Sequence, residues 1–191
     1  MWSVAWRPKD TAAPNGDDYV IVEHADRVVV ALVDGSGSGA EAAAAARSCT
    51  EEVRRHPGPT IEAVFAATHR RLKGSRGVAM ALVILDRKSH AMTWAAVGDV
   101  DGMVLGNGPI SPILRRPGTL GITYAGIFSQ TVRLAAGAQV VLTTDCVSRD
   151  YAAARPSKAT GAATVAQIIH RFARPGDDSM AFSFEITAIP R

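Results

Sequence analysis

Val78 to Leu85 are eight consecutive apolar residues. A run of this length, bounded by turn residues, reads as a strand covered on both faces rather than one with a wet side. Such a strand needs a layer above it and a layer below it. The neighbouring segments supply both. Residues 2–6 read as a short first strand. Tyr19 to Val22 and Val28 to Val33 flank Glu23-His24-Ala25-Asp26 and read as a hairpin. Asp34-Gly35-Ser36-Gly37-Ser38-Gly39 breaks the second of these strands. A helix is predicted from about 39 to 55, with the apolar stripe Ala42, Ala46, Cys49, Val53. His56-Pro57-Gly58-Pro59 ends it, and Thr60 can N-cap a second helix with the stripe Ile61, Val64, Phe65, Thr68, Leu72.

The second half is strand-rich. Strands are predicted at 78–85, 91–97 and 103–105, with a turn at Gly106-Asn107-Gly108-Pro109. Two more are predicted at 127–134 and 139–143, around Ala136-Gly137. Residues 162–173 carry Val165, Ile168, Ile169 and Phe172 on one helical face. The last strand alternates, with Phe182, Phe184 and Ile186 facing one way and Ser183, Glu185 and Thr187 the other. Two strands, two helices and then a series of strands is not the βαβα alternation of a parallel sheet. Short turns between strands imply antiparallel pairing. The predicted fold is α+β: two antiparallel sheets packed face to face with helices outside, in a single domain spanning 1–191.

Composition narrows the function classes. With 47% apolar and 20% charged residues, the chain is not a disordered polymer. The net charge is +3, but Arg54-Arg55, Arg70-Arg71 and Arg115-Arg116 are scattered, so no nucleic-acid stripe is expected. A membrane span needs about 20 apolar residues, and no signal-peptide pattern is visible, so a cytoplasmic protein is expected. Cys49 and Cys146 form no C-x-x-C pair, and the five histidines show no ligand spacing, which argues against zinc. No coiled-coil seam or large apolar surface helix is apparent, so a monomer is expected.

Aspartate carries the chemistry. Of 18 acidic residues 12 are Asp, a residue that favours turns and strand ends over helix interiors. Gly16-Asp17, Asp34-Gly35, Thr144-Asp145 and Asp177-Asp178 all stand at ends or starts of apolar strands. If those strands are neighbours, the carboxylates converge. Two carboxylates about 4 Å apart repel by roughly 4 kcal/mol at an effective dielectric of 20. Protonation or a cation must then offset the repulsion. Oxygen donors without His or Cys suit Mg²⁺ or Mn²⁺. Gly35 lets the backbone approach, so its carbonyl can join the donor set. Two metals would acidify a bridging water and clamp a phosphoryl group.

The blocks Asn15-Gly16-Asp17-Asp18-Tyr19, Val33-Asp34-Gly35-Ser36-Gly37-Ser38-Gly39-Ala40-Glu41-Ala42, Ala96-Val97-Gly98-Asp99-Val100, Leu142-Thr143-Thr144-Asp145 and Pro175-Gly176-Asp177-Asp178-Ser179-Met180 resemble the metal-dependent Ser/Thr phosphatases of the PPM (2C-type) family, in its small bacterial RsbX-like and SpoIIE-like branch. The resemblance runs over about residues 15–186. It implies a four-layer α-β-β-α sandwich and two Mn²⁺ or Mg²⁺ ions. Asp34 would bridge them beside the Gly35 carbonyl, Asp145 and Asp177 would complete the first ion's shell, and Asp17 would hold or ligate metal-bound water. Asp178 is the register alternative to Asp177. Arg7, the one arginine upstream of Asp17, is the candidate for phosphate binding. The implied reaction is attack of a metal-bridging hydroxide on phosphoserine or phosphothreonine, with no phospho-enzyme. The implied partners are phosphorylated scaffold or STAS-domain regulatory proteins of the stressosome.

Two departures stand out. Gly16 occupies the position where larger members carry Glu, and Ser36 and Ser38 stand where many relatives have His. Two other readings follow. One is a phosphoprotein-docking module of the same fold without turnover. The other takes Gly35 to Ala40 as a dinucleotide loop, which the charge of Asp34 opposes. Asp99 and Asp101 read as structural, and Thr143 and Thr144 as local hydrogen-bonding β-formers.

Overall fold

The computed structural model describes residues 1–106, 111–154 and 161–186. Its strands are β1 (Trp2–Arg7), β2 (Asp17–Glu23), β3 (Arg27–Gly35), β4 (Val78–Asp86), β5 (Ala91–Val97), β6 (Asp101–Leu105), β7 (Ser111–Pro112), β8 (Arg115–Arg116), β9 (Gln130–Arg133), β10 (Gln139–Thr143) and β11 (Ser179–Glu185). The helices are α1 (Ala40–Arg55), α2 (Ile61–Arg71) and α3 (Gly161–Phe172), with a 3₁₀ turn at Arg149–Tyr151. One sheet runs β1-β11-β10-β6-β7. The other runs β2-β3-β4-β5-β8, with β9 also on β5.

Three apolar clusters separate four layers. Val29, Ala31, Val33, Met80 and Leu82 pack under α1 and α2. Val30, Leu32, Val83, Trp94, Leu142 and Phe182 fill the space between the sheets. Val141 and Ala181 pack against Val165 and Ile168 of α3. Alternate residues of β3, β4, β10 and β11 therefore enter different clusters, which is why Val78 to Leu85 has no polar face. The order is α1/α2, sheet, sheet, α3, the α-β-β-α sandwich read from the sequence.

Local chemistry sets the details. The Thr60 hydroxyl accepts the Ala63 N–H at 3.3 Å and caps α2. The first half of the inner face of α1 is alanine, at Ala42, Ala43, Ala45 and Ala46, so the helix lies close on the sheet there. Gly35 is needed there, because a Cβ on it would stand 2.3 Å from the Ala42 carbonyl oxygen. No described helix is long and apolar enough to cross a membrane.

Three expectations need correction. The segment 127–134 narrows to β9, which joins β5 rather than β10, so the two strands around Ala136-Gly137 lie in different sheets. The sheets are not purely antiparallel, since β8 runs parallel to β5 through Ala96–Arg115 and Val97–Arg116. Parallel pairing needs a long return connection, and the stretch from 98 to 114 provides it by way of β6 and β7 in the other sheet. The strand predicted at 103–105 begins at Asp101, so Asp101 and Gly102 are ladder residues. The Asn107-Gly108-Pro109 turn and Thr187 lie outside the described residues.

Candidate active site

The carboxylates gather at one end of the sandwich because the strands that carry them are neighbours. Asp17 and Asp34 are directly paired across β2 and β3. They are in phase with Tyr19, Ile21, Val30 and Leu32, whose side chains enter the space between the sheets. Asp145 follows β10, and Asp177-Asp178 precede β11, its antiparallel partner. Thr144 ties the two sheets together. Its hydroxyl donates to Asp17 Oδ2 at 2.9 Å and accepts the Met180 N–H at 2.9 Å. The sequence reading left Thr144 a local role. The signal available was its position, one residue before Asp145 at a strand end.

The doubled aspartate divides its work. Asp178 is buried, and its carboxylate accepts the Lys9 N–H at 2.8 Å and the Gly16 N–H at 2.7 Å. Those bonds hold the approach to β2 against the start of β11. Asp177 is more accessible, and its carboxylate accepts the next N–H in the chain. Gly16 sits inside this clamp: a Cβ there would meet Asp178 Oδ2 at 3.3 Å and the Ala42 methyl at 3.4 Å. A longer acidic side chain would face the Asp178 carboxylate directly.

Charge is concentrated here without basic partners. Among the described ion pairs none involves Asp17, Asp34, Asp145, Asp177 or Asp178. Burial, then the Asp34 carboxylate, pushes Asp17 up to about 8, against the pull of the Thr144 hydroxyl. Burial, then Asp145 and Asp177, pushes Asp34 up to about 7. Burial also raises Asp145, whose carboxylate accepts the Cys146 thiol. Cys146 is itself raised to about 11 by burial and by Asp145, so it is a thiol at neutral pH and a poor nucleophile.

The donor types suit a hard divalent cation: carboxylates that run from buried at Asp17 through half-buried at Asp34 and Asp177 to exposed at Asp145, beside a backbone that approaches closely at Gly35. Among the described residues no group of three or more His, Cys, Asp or Glu side chains is drawn together closely enough to hold a metal ion as it stands.

A cleft of about 460 Å³ opens beside Asp145, lined by Asp99, Asp101, Arg115, Arg149 and Arg174 among others. Arg174 donates to the Asp145 main-chain carbonyl at 2.8 Å. Arg149 Nε lies 2.8 Å from Asp101, and Arg115 lies 3.6 Å from Asp99. None of these arginines was singled out in the sequence. Only folding brings the 3₁₀ turn, β8 and the end of α3 to one wall. Arg7 is placed differently. It ends β1 opposite Ser179, the first residue of β11, and its Nη2 is buried without a hydrogen-bond partner among the described residues.

The model of the family Stage II sporulation protein E (SpoIIE) matches residues 24–181. The chain belongs to the SpoIIE family. Solved structures share the fold of this SpoIIE-family chain. One, from work on the bacterial stressosome as a modular system that controls secondary messenger signalling, has a TM-score of 0.87 at 24% identity, covering 95% of this chain and 97% of that one. RsbX in complex with magnesium has a TM-score of 0.82 at 17% identity, covering 94% and 92%. The Mycobacterium tuberculosis serine/threonine phosphatase PstP/Ppp has a TM-score of 0.69 at 14% identity, covering 98% and 99%. No curated protein matches the chain. The fold of this SpoIIE-family chain is shared with the PP2C phosphatase domain of SpoIIE from Bacillus subtilis, at a TM-score of 0.81 and 16% identity.

Proposed function

We propose that the chain removes phosphate from phosphoserine or phosphothreonine on a STAS-domain regulatory protein of the stressosome type, in the cytoplasm and without a phospho-enzyme. The observation that carries this reading is the gathering of Asp17, Asp34, Asp145 and Asp177 at one end of the sandwich, in mutual repulsion and in none of the described ion pairs. The stressosome-related neighbour supports the partner class.

Asp34, the Gly35 carbonyl, Asp145 and Asp177 would hold divalent ions, Mn²⁺ or Mg²⁺, with two as the expected number. Bound there, the ions supply positive charge for the phosphoryl oxygens and lower the pKa of water for in-line attack. Asp17, fixed by Thr144, orients the attacking side of the site and accepts a proton there. Asp178 keeps the entry loop in place through Lys9 and Gly16. The cleft beside Asp145 takes the phosphorylated segment. Arg174 on its wall and Arg7, whose buried Nη2 has no hydrogen-bond partner among the described residues, are the two arginines that would meet the phosphate. Alanine at 174 and alanine at 7 are each expected to raise KM.

The test is release of phosphate from a phosphorylated STAS-domain protein, compared with an unrelated phosphoprotein of equal phosphate content. Faster release from the STAS protein supports the reading. Equal rates would remove the partner assignment. Binding of the STAS phosphoprotein without release would point to the docking module instead.

A further inference from the structure

Among the described residues β1 is the outer strand of its sheet and pairs only with β11. Its hydrogen-bond phase follows from one contact: the Glu185 N–H donates to the Met1 carbonyl at 3.1 Å. Antiparallel ladders alternate, so Ser3, Ala5 and Arg7 turn their backbone groups toward β11. Trp2, Val4 and Trp6 turn theirs away from the sheet. Among the described residues nothing pairs with those outward groups.

The same three residues carry the large side chains. Trp2 is 47% exposed and Trp6 56%, unusual values for the largest apolar residue type. The edge also lacks the usual protection. Native edge strands are blunted by internal charges, proline or bulges. β1 has none before Arg7, its last residue. β2, an edge of the other sheet, begins with two aspartates and ends with a glutamate. α3 covers one face of β1, where Gly161 approaches Ser3 and Ser183, but leaves the edge open.

The sequence of the edge is self-complementary. Trp2-Ser3-Val4-Ala5-Trp6 reads as large, small, large, small, large in both directions. We propose that β1 pairs antiparallel with β1 of a second copy of this chain, about a two-fold axis at Val4. Two five-stranded sheets then join into one. In this register Val4 faces Val4 of the second copy, and Trp2 faces Trp6 of the second copy. Every outward N–H and C=O of the three residues meets a partner, because all three have the same phase. Facing indoles add cross-strand contact. A two-fold interface asks one patch to complement itself, and a palindromic edge does so.

The test combines sedimentation with residue-resolved amide exchange, neither of which depends on catalysis. The wild-type chain should pass from 20.1 kDa toward twice that mass as its concentration rises. The Val4 and Trp6 amides should be protected at high concentration and lose protection on dilution. Ser3, Ala5 and Arg7 should stay protected throughout by β11. Val4→Pro removes an outward N–H and leaves the β11 bonds intact, a position where edge strands accept proline. Trp6→Lys, a second variant, adds the missing edge charge. Each should weaken dimerisation about tenfold or more while the odd-numbered amides remain protected. A wild-type chain that stays monomeric with fast-exchanging Val4 and Trp6 would overturn the proposal. So would a dimer that both variants leave unchanged.

Discussion

Thr144 and Asp17 are 127 positions apart in the chain and in different sheets, yet the Thr144 hydroxyl lies 2.9 Å from Asp17 Oδ2. The same hydroxyl accepts the Met180 N–H, so one buried oxygen joins the ends of β10 and β11 to Asp17 of the other sheet. Thr144→Val keeps the shape and deletes both bonds. Leaving buried groups unpaired costs about 1–3 kcal/mol. A lower denaturant midpoint with unchanged slope, together with weaker Mn²⁺ binding, is the expected result. Thr144→Ser should restore most of both.

The two adjacent aspartates should separate under mutation. Asp178→Ala frees the Lys9 and Gly16 amides and should destabilise the chain by about 1–3 kcal/mol. Asp177→Asn should change stability little and reduce metal-dependent turnover by about 100-fold or more. Thermal melts beside rate measurements distinguish them. Equal stability losses in both variants would contradict this division.

Stability of the metal-free chain should fall as pH rises. Asp17 and Asp34 have folded pKa values raised from 3.8 to about 8 and about 7. Between those limits the folded state binds more protons than the unfolded state. Stability then declines with pH, being fully present below the unfolded value and lost through the folded ones. Melting temperatures from pH 5 to about 8.5 should decrease without metal. Mn²⁺ should reverse the trend. Asp17→Asn should flatten the metal-free slope. A metal-free chain that gains stability over this range would show that these carboxylates are not mutually repelling.

Cys146 touches the Asp145 carboxylate, but its thiol is pushed up to about 11. Cys146→Ser should therefore retain at least about half of wild-type kcat, since only a small fraction of the thiol ionises at neutral pH. Iodoacetamide should leave initial rates nearly unchanged. A thousandfold loss in the serine variant would indicate a covalent route.

The layers were legible because burial on both faces leaves no polar residue in Val78 to Leu85. The aspartates were legible because each interrupts or adjoins such a run. β8 was not legible, and β9 was legible as a strand within 127–134 but not as a partner of β5. Two residues carry too little periodicity, and for both strands the partner β5 is distant in sequence. The roles within Asp177-Asp178 could not be read either. They depend on where the Lys9 and Gly16 amides fall, which no local pattern encodes. Thr144 and the arginines of the cleft are long-range in the same sense: their residue types are ordinary, and only the register of two sheets gives them work at the site.

The most direct test of the central claim is hydrolysis of an aryl phosphate by the purified chain with Mn²⁺, with Mg²⁺ and with chelator, alongside Asp34→Asn and Asp145→Asn. The account predicts turnover that needs a divalent ion, stops with chelator, and falls about 100-fold or more in either variant. Turnover that survives chelator, or that both variants retain, would contradict a reaction built on these carboxylates.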